Sequence, residues 1–314
     1  MHARTATVSL AAAALLGVGA LLLPTPRSPA TDTGSATGTE TVTGIRTVGA
    51  QAGGRSDAAP VVFAHRGASA YAPENTLAAV DRADRLGFDW VENDVQLTRD
   101  GVPVVIHDTD LKRTTDVEDV FPDRAPWAVK DFTAAEIARL DAGSWFGARY
   151  TGTRVPTLTQ YLDRIGRNRQ KLLLEIKSPK LYPGVEKETL RVLRRAGWLD
   201  RDHVRSRLVI QSFDAGSLKK VHRQRPDITT GFLGTPAIAD LTSYAAFTDQ
   251  INPSYTSIGA DYVAAVHALN GAHGKKLRVN TWTVNGAATA VKVDLLGVDG
   301  IITNTPDVVR EATG

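Results

Sequence analysis

Hydrophobic positions along the chain fall into two kinds of run. From residue 60 onward, short stretches rich in β-branched and aliphatic side chains recur at 61–64, 90–97, 102–106, 171–176, 208–211, 230–233, 277–282 and 300–303. Several are apolar at consecutive positions, as strands buried on both faces are. Between most of them lie longer amphipathic stretches of helical character, over 75–86, 184–196, 215–224, 261–272 and 287–295. Alternation of the two predicts a parallel sheet with helices packed on it. The span 60–314 suits one α/β domain, a (β/α)8 TIM barrel of ~250 residues.

One region departs from the alternation. Asp100-Gly101 joins two strand-like runs, a hairpin signal. Residues 109–152 then form a small insertion after the second strand region, with a helix of their own. Thr133-Ala134-Ala135-Glu136 has the capping-box spacing that starts it, and Thr157 to Gln160 repeats the device. The insertion is expected to cover the strand ends, with Trp127, Phe132, Trp145 and Phe146 forming the core of a lid.

The first part of the chain reads differently. After Arg4 an apolar run extends from Val8 to Leu23 and stops at Pro24. It is shorter than the ~20 residues that span a bilayer, which predicts a signal peptide over 1–30 and a secreted or extracytoplasmic destination. Residues 31–59 are mostly Thr, Gly, Ser and Ala and bury too little to offset their ordering entropy, so a flexible linker is expected there. The chain has no cysteine, which excludes disulfides, thiolate chemistry and a lipidated N-terminal cysteine. Net charge is +3, with Lys and Arg dispersed among acids. No basic stripe marks a nucleic-acid partner.

Candidate chemistry is concentrated at strand ends. Glu92 and Asp94 lie two apart on a strand, so both carboxylates face one side. Burying two acids together costs several kcal/mol without a compensating cation. Oxygen ligands favour a hard divalent ion, Ca2+ or Mg2+; solvated acids on an edge strand are the alternative. His65 follows the strand 61–64 and His107 follows 102–106, at the ends that line the active face of a barrel. Two histidines beside an acid pair suit general acid and base roles. Glu175 and Lys177 punctuate an apolar strand on one face. They are either an internal ion pair or a third metal ligand with a phosphate contact. Gln211 and Trp282 end later strands, each a substrate contact or a packing residue.

These motifs together carry a resemblance. Ala64-His65-Arg66-Gly67-Ala68, Pro73-Glu74-Asn75-Thr76, Glu92-Asn93-Asp94-Val95, Val104-Val105-Ile106-His107-Asp108 and Glu175-Ile176-Lys177 resemble the signature blocks of the glycerophosphodiester phosphodiesterase family. Val279 to Asn285 and Gly297 to Asp307 resemble its last two strands and their loops. The resemblance implies a phosphoric diester hydrolase that cleaves a small glycerophosphodiester to sn-glycerol 3-phosphate and an alcohol. It also implies that Glu92, Asp94 and Glu175 hold one divalent metal and that His65 and His107 are acid and base. Arg66 and Lys177 would face phosphate oxygens, and Trp282 would pack on the glycerol. Glu74 and Asn75 are expected to be structural. Asn93, where the family commonly has a bulkier or apolar residue, faces away from the ligands. A related barrel phospholipase C or D, acting on lysolipids or inositol lipids, is the alternative. It would require the insertion aromatics to form an exposed lip at a membrane, a contact not expected here.

Overall fold

A computed structural model describes residues 59–314; the expected signal peptide, and all but residue 59 of the expected linker, lie outside the described residues. Eight strands run parallel and close on themselves: β1 (Val61–Ala64), β2 (Trp90–Leu97), β4 (Lys171–Ile176), β5 (Leu208–Ser212), β6 (Thr229–Leu233), β7 (Gln250–Asn252), β8 (Arg278–Thr281) and β9 (Gly300–Thr303). Closure is made by β1, which pairs with β2 on one side and β9 on the other. The molecule is a (β/α)8 barrel.

Burial accounts for the consecutive apolar runs. Phe63, Leu173, Val209 and Ile302 pack inside the barrel. Their strand neighbours Ala64, Leu172, Leu174, Leu208 and Ile210 belong to the layer between sheet and helices. Each such residue removes enough surface from water to contribute ~1.5–3 kcal/mol when fully buried. Asn93 also points outward on β2, fully buried.

The helices are Leu77–Arg85, Leu158–Arg167, Val185–Arg195, Ala215–Gln224, Ala260–His267, Ala287–Leu295 and Pro306–Thr313, with shorter ones between. Thr76, not Asn75, caps the first of them, its side chain accepting from the Ala79 backbone N–H. Both expected capping boxes are present, at Thr133/Glu136 and Thr157/Gln160. The helix expected over 261–272 stops at His267, because the chain then turns so that Asn270 bridges to Lys276.

The third strand-like run is the hairpin arm that Asp100-Gly101 signals, not a barrel strand. β3 (Pro103–Val105) pairs antiparallel with the far end of β2, where Val95 faces Val105 and Leu97 faces Pro103. His107 therefore reaches the active face at the end of a returning hairpin, not at the carboxyl end of a barrel strand. The insertion that follows has a separate core of Leu111, Val117, Val129, Phe132, Ile137 and Leu140. Phe132 is fully buried there, but Trp127 and Phe146 are half-buried and Trp145 is 41% exposed, so the four aromatics are not all lid core. Trp145 is held at the surface by its indole N–H, which donates to the Ala142 carbonyl at 3.0 Å.

Candidate active site

The register that closes the barrel also assembles the site. Asp94 on β2 lies level with Glu175 on β4, and Glu175 with Gln211 on β5. Glu92 stands one inward-facing position below Asp94. Oxygen atoms of Glu92, Asp94 and Glu175 all lie within 4.8 Å of one another, and the three side chains are buried.

Three buried carboxylates at that spacing cannot all stay ionised without cations. Burial, with the charges of Asp94 and Glu175, raises Glu92 well above the usual carboxylate range. Burial and the Asp94 charge push Glu175 up to about 8 against the pull of Lys177. Asp94 behaves oppositely: burial would raise it, but Arg66 and Lys177 outweigh that and hold it low. Lys177 Nζ lies 3.6 Å from Asp94 Oδ1 and 3.1 Å from Glu175 Oε1, and Arg66 Nε lies 3.3 Å from Asp94 Oδ2. Both Asp94 Oδ1 and Glu175 Oε1 are nonetheless buried without a hydrogen bond of acceptable geometry. Buried carboxylate oxygens converging on one point without a hydrogen bond fit a hard divalent ion.

The loop after β1 supplies the other half. His65 ends the strand, and Arg66 and Gly67 both adopt left-handed backbone, with φ of 57° and 79°. A Cβ on Gly67 would stand 2.6 Å from Ala79, so only glycine lets the first helix start against the loop. The turn aims the Arg66 N–H at Glu92 Oε2, at 2.9 Å. His65 Nδ1 lies 2.6 Å from Asn304 Oδ1, and Nε2 is 4.0 Å from Glu92 Oε2. Burial, reinforced by the Arg66 charge, lowers the His65 pKa to about 4, so its ring is neutral near pH 7.

His107 sits beside the cluster, close enough for its charge to act on Asp94. Its Nδ1 pairs with Asp108 Oδ1 at 2.6 Å. Asp108 would be raised by burial, but Arg113 and His107 bring it down to about 2. Arg113 also binds both Glu74 oxygens, at 2.8 and 2.9 Å, and Glu74 in turn accepts from Arg66 Nη1 at 2.9 Å. A continuous chain of ion pairs thus ties the His107 turn to the His65 loop.

Gln211 and Trp282 are brought to the same end of the barrel and share one support. Asn252 Nδ2 donates to Gln211 Oε1 at 2.9 Å, and the Trp282 indole N–H donates to the Asn252 carbonyl at 2.8 Å. Phe213 meets Trp282 edge to face at 5.5 Å.

All nine residues singled out in the sequence therefore fall at the carboxyl-end mouth of the barrel. Comparison with known proteins bears on what that mouth is. A sequence profile of the Glycerophosphoryl diester phosphodiesterase family matches residues 65–308. The chain belongs to that family. A glycerophosphodiester phosphodiesterase of Bacillus subtilis is 36% identical over 261 residues, covering 79% of this chain and 84% of the relative. Another from Caldanaerobacter subterraneus subsp. tengcongensis is 36% identical over 250 residues, covering 79% of this chain and 95% of the relative. A phosphodiesterase from Oleispira antarctica, solved with its product sn-glycerol-3-phosphate, superposes with a TM-score of 0.70 at 29% identity. It covers 81% of this chain and 96% of that one. The family is one of enzymes, and this member is a phosphodiesterase with a complete acidic cluster at the barrel mouth.

Two residues that hold the site together escaped the sequence reading. Asn304 holds His65 across 239 residues of chain, and Asn252 holds Gln211. Asn75, expected to be structural, donates to Asp94 Oδ2 at 2.8 Å and so positions a carboxylate of the cluster. Asparagines at turns carry no signal of a distant partner; only the His-x-Gly turn and the inward register of Asp94 hint that something must hold them.

Proposed function

We propose that this enzyme hydrolyses glycerophosphodiesters to sn-glycerol 3-phosphate and an alcohol, with one divalent ion, Ca2+ or Mg2+, held by Glu92, Asp94 and Glu175. The observation that carries the reading is the convergence of those carboxylates beside two cations and two histidines. When bound, the ion would offset phosphodiester charge and polarise a phosphoryl oxygen.

The chain's own groups account for the rest. Arg66 and Lys177 present positive charge toward the same space and stabilise charge that shifts onto phosphoryl oxygens in the transition state. With Asn304 accepting at Nδ1, the His65 ring carries its proton there and offers the Nε2 lone pair as general base. His107 donates its Nδ1–H to Asp108 in a hydrogen bond, and the doubly protonated ring that this carboxylate supports would give its Nε2 proton to the departing alcohol. Gln211 and the Trp282–Phe213 pair line the mouth beside the cluster and suit a glycerol moiety, with hydrogen bonding on one side and apolar contact on the other. The product-bound Oleispira relative supports the choice of sn-glycerol 3-phosphate as the retained half. The apolar run 8–23 after Arg4, followed by a Thr/Gly-rich stretch, supports export of the enzyme.

The identity of the products tests the reaction. Glycerophosphocholine incubated with the purified protein should yield sn-glycerol 3-phosphate and choline by mass spectrometry. Phosphocholine and glycerol would mean cleavage on the other side of the phosphorus and would overturn the proposal.

A further inference from the structure

Behind the loop that carries His65, a second cleft of about 450 Å³ is lined by Tyr71, Arg82, Arg85, Arg149 and Tyr150. Two elements far apart in sequence form it. Arg82 and Arg85 lie one turn apart on the first helix, and Arg149 and Tyr150 come from the end of the insertion. The insertion is fastened here: Arg149 Nη2 and the Tyr150 hydroxyl both donate to the Tyr71 carbonyl, at 3.0 and 2.6 Å.

Aromatic rings set the guanidinium groups. Arg82 stands over the Tyr71 ring at 5.3 Å, and Arg149 over the Tyr150 ring at 4.7 Å. No carboxylate lines the cleft; the Asp307 carboxylate beyond it accepts from the Tyr71 hydroxyl at 2.7 Å. None of the three arginines forms an ion pair among the described residues, whereas Arg66, Arg113, Arg124, Arg164, Arg191 and Arg225 all do. Three cations thus share one concave surface, none of them in an ion pair of its own among the described residues. Planar guanidiniums in that setting match the oxygens of phosphate, singly or as forks.

We infer that this cleft is an accessory phosphate-binding site, separate from the reacting site and walled by Arg82, Arg85 and Arg149. Its ligand is a phosphate group other than the one being cleaved, either free in solution or displayed as a lipid headgroup. The inference stands on the cleft alone and survives a different outcome for the reaction itself. Because the insertion is fastened to the Tyr71 carbonyl and Arg82 stands over the Tyr71 ring, an anion there would also brace the insertion against the first helix.

Arginine labelling by phenylglyoxal, read peptide by peptide in the full protein, tests it locally. Arg194 and Arg195, exposed on another helix, are the internal control. Millimolar inorganic phosphate should protect Arg82, Arg85 and Arg149 and leave the controls reacting at their original rates. Vesicles of phosphatidylglycerol are the second arm, against phosphatidylcholine. Protection by the anionic vesicles without protection by free phosphate assigns the site to a surface-displayed headgroup. In Arg82→Gln/Arg85→Gln, protection of Arg149 should need about tenfold more ligand, the effect of losing a charged hydrogen-bond donor or two. Turnover of a soluble glycerophosphodiester should be unchanged in that variant, since neither arginine touches the reacting site. Absence of protection in both arms, or equal protection of Arg194 and Arg195, would overturn the inference.

Discussion

His65 and His107 are held by different partners, and the proposed division of their tasks rests on that difference. Asn304 and Asp108 each take the Nδ1 side and leave Nε2 to the reaction, but only Asp108 is anionic and able to support an imidazolium. Replacing either histidine by Ala should lower kcat by at least ~100-fold, the usual scale of acid or base loss. The two losses separate with the leaving group. A nitrophenyl ester of glycerol phosphate needs little protonation as it departs, so His107→Ala should recover much of its rate on that substrate and His65→Ala should not. Equal recovery of both variants would refute the assignment. At the same scale, Glu175 carries a pH signature. Its pKa is raised from 4.5 to about 8 in the metal-free fold, so the protonated form stabilises the fold most below about 4.5 and that contribution is lost as pH rises through about 8. The EDTA-treated protein should therefore melt at lower temperature as pH climbs across that window, and divalent-ion affinity should rise, with proton release measurable by calorimetry. A pH-independent affinity would contradict the picture of protonated ligands.

Among the elements, the β1 loop is the most constrained. Its left-handed turn exists because Gly67 abuts Ala79 at the start of the first helix. Gly67→Ala should cost about 2–4 kcal/mol in thermal or denaturant melts, from strain at positive φ and overpacking together. It should also lower activity by displacing the Arg66 N–H from Glu92; a variant with wild-type melting and kcat would show the turn to be incidental. Legibility at this scale followed burial. β2, β4 and β9 are buried along nearly their whole length and β1 is apolar throughout, and the bounds expected from the sequence match all four. β7 escaped because Gln250 and Asn252 turn inward and bond across the barrel, Gln250 Oε1 accepting from Asn280 Nδ2 and Asn252 reaching Gln211. Two of its three residues are polar, so neither period nor hydrophobicity marks it. β3 was legible as a hairpin arm from Asp100-Gly101, and it pairs antiparallel with β2 as that signal implies.

At the scale of the whole molecule, barrel closure brings residues from β1, β2, β4, β5, β8 and a hairpin to one mouth. Glu92, Asp94 and Glu175 were legible as a site because inward carboxylates in apolar strands are costly and few. Asn252 and Asn304 were not, because their meaning depends on partners reached only when the sheet closes. The central claim is that the buried carboxylates exist to hold a divalent ion for phosphodiester hydrolysis. Turnover of glycerophosphocholine measured after EDTA treatment, and again on adding back Ca2+ or Mg2+, tests it most directly. The account predicts that EDTA abolishes activity, that one of the two ions restores it, and that Asp94→Asn fails to be restored. Full activity in excess EDTA would contradict it.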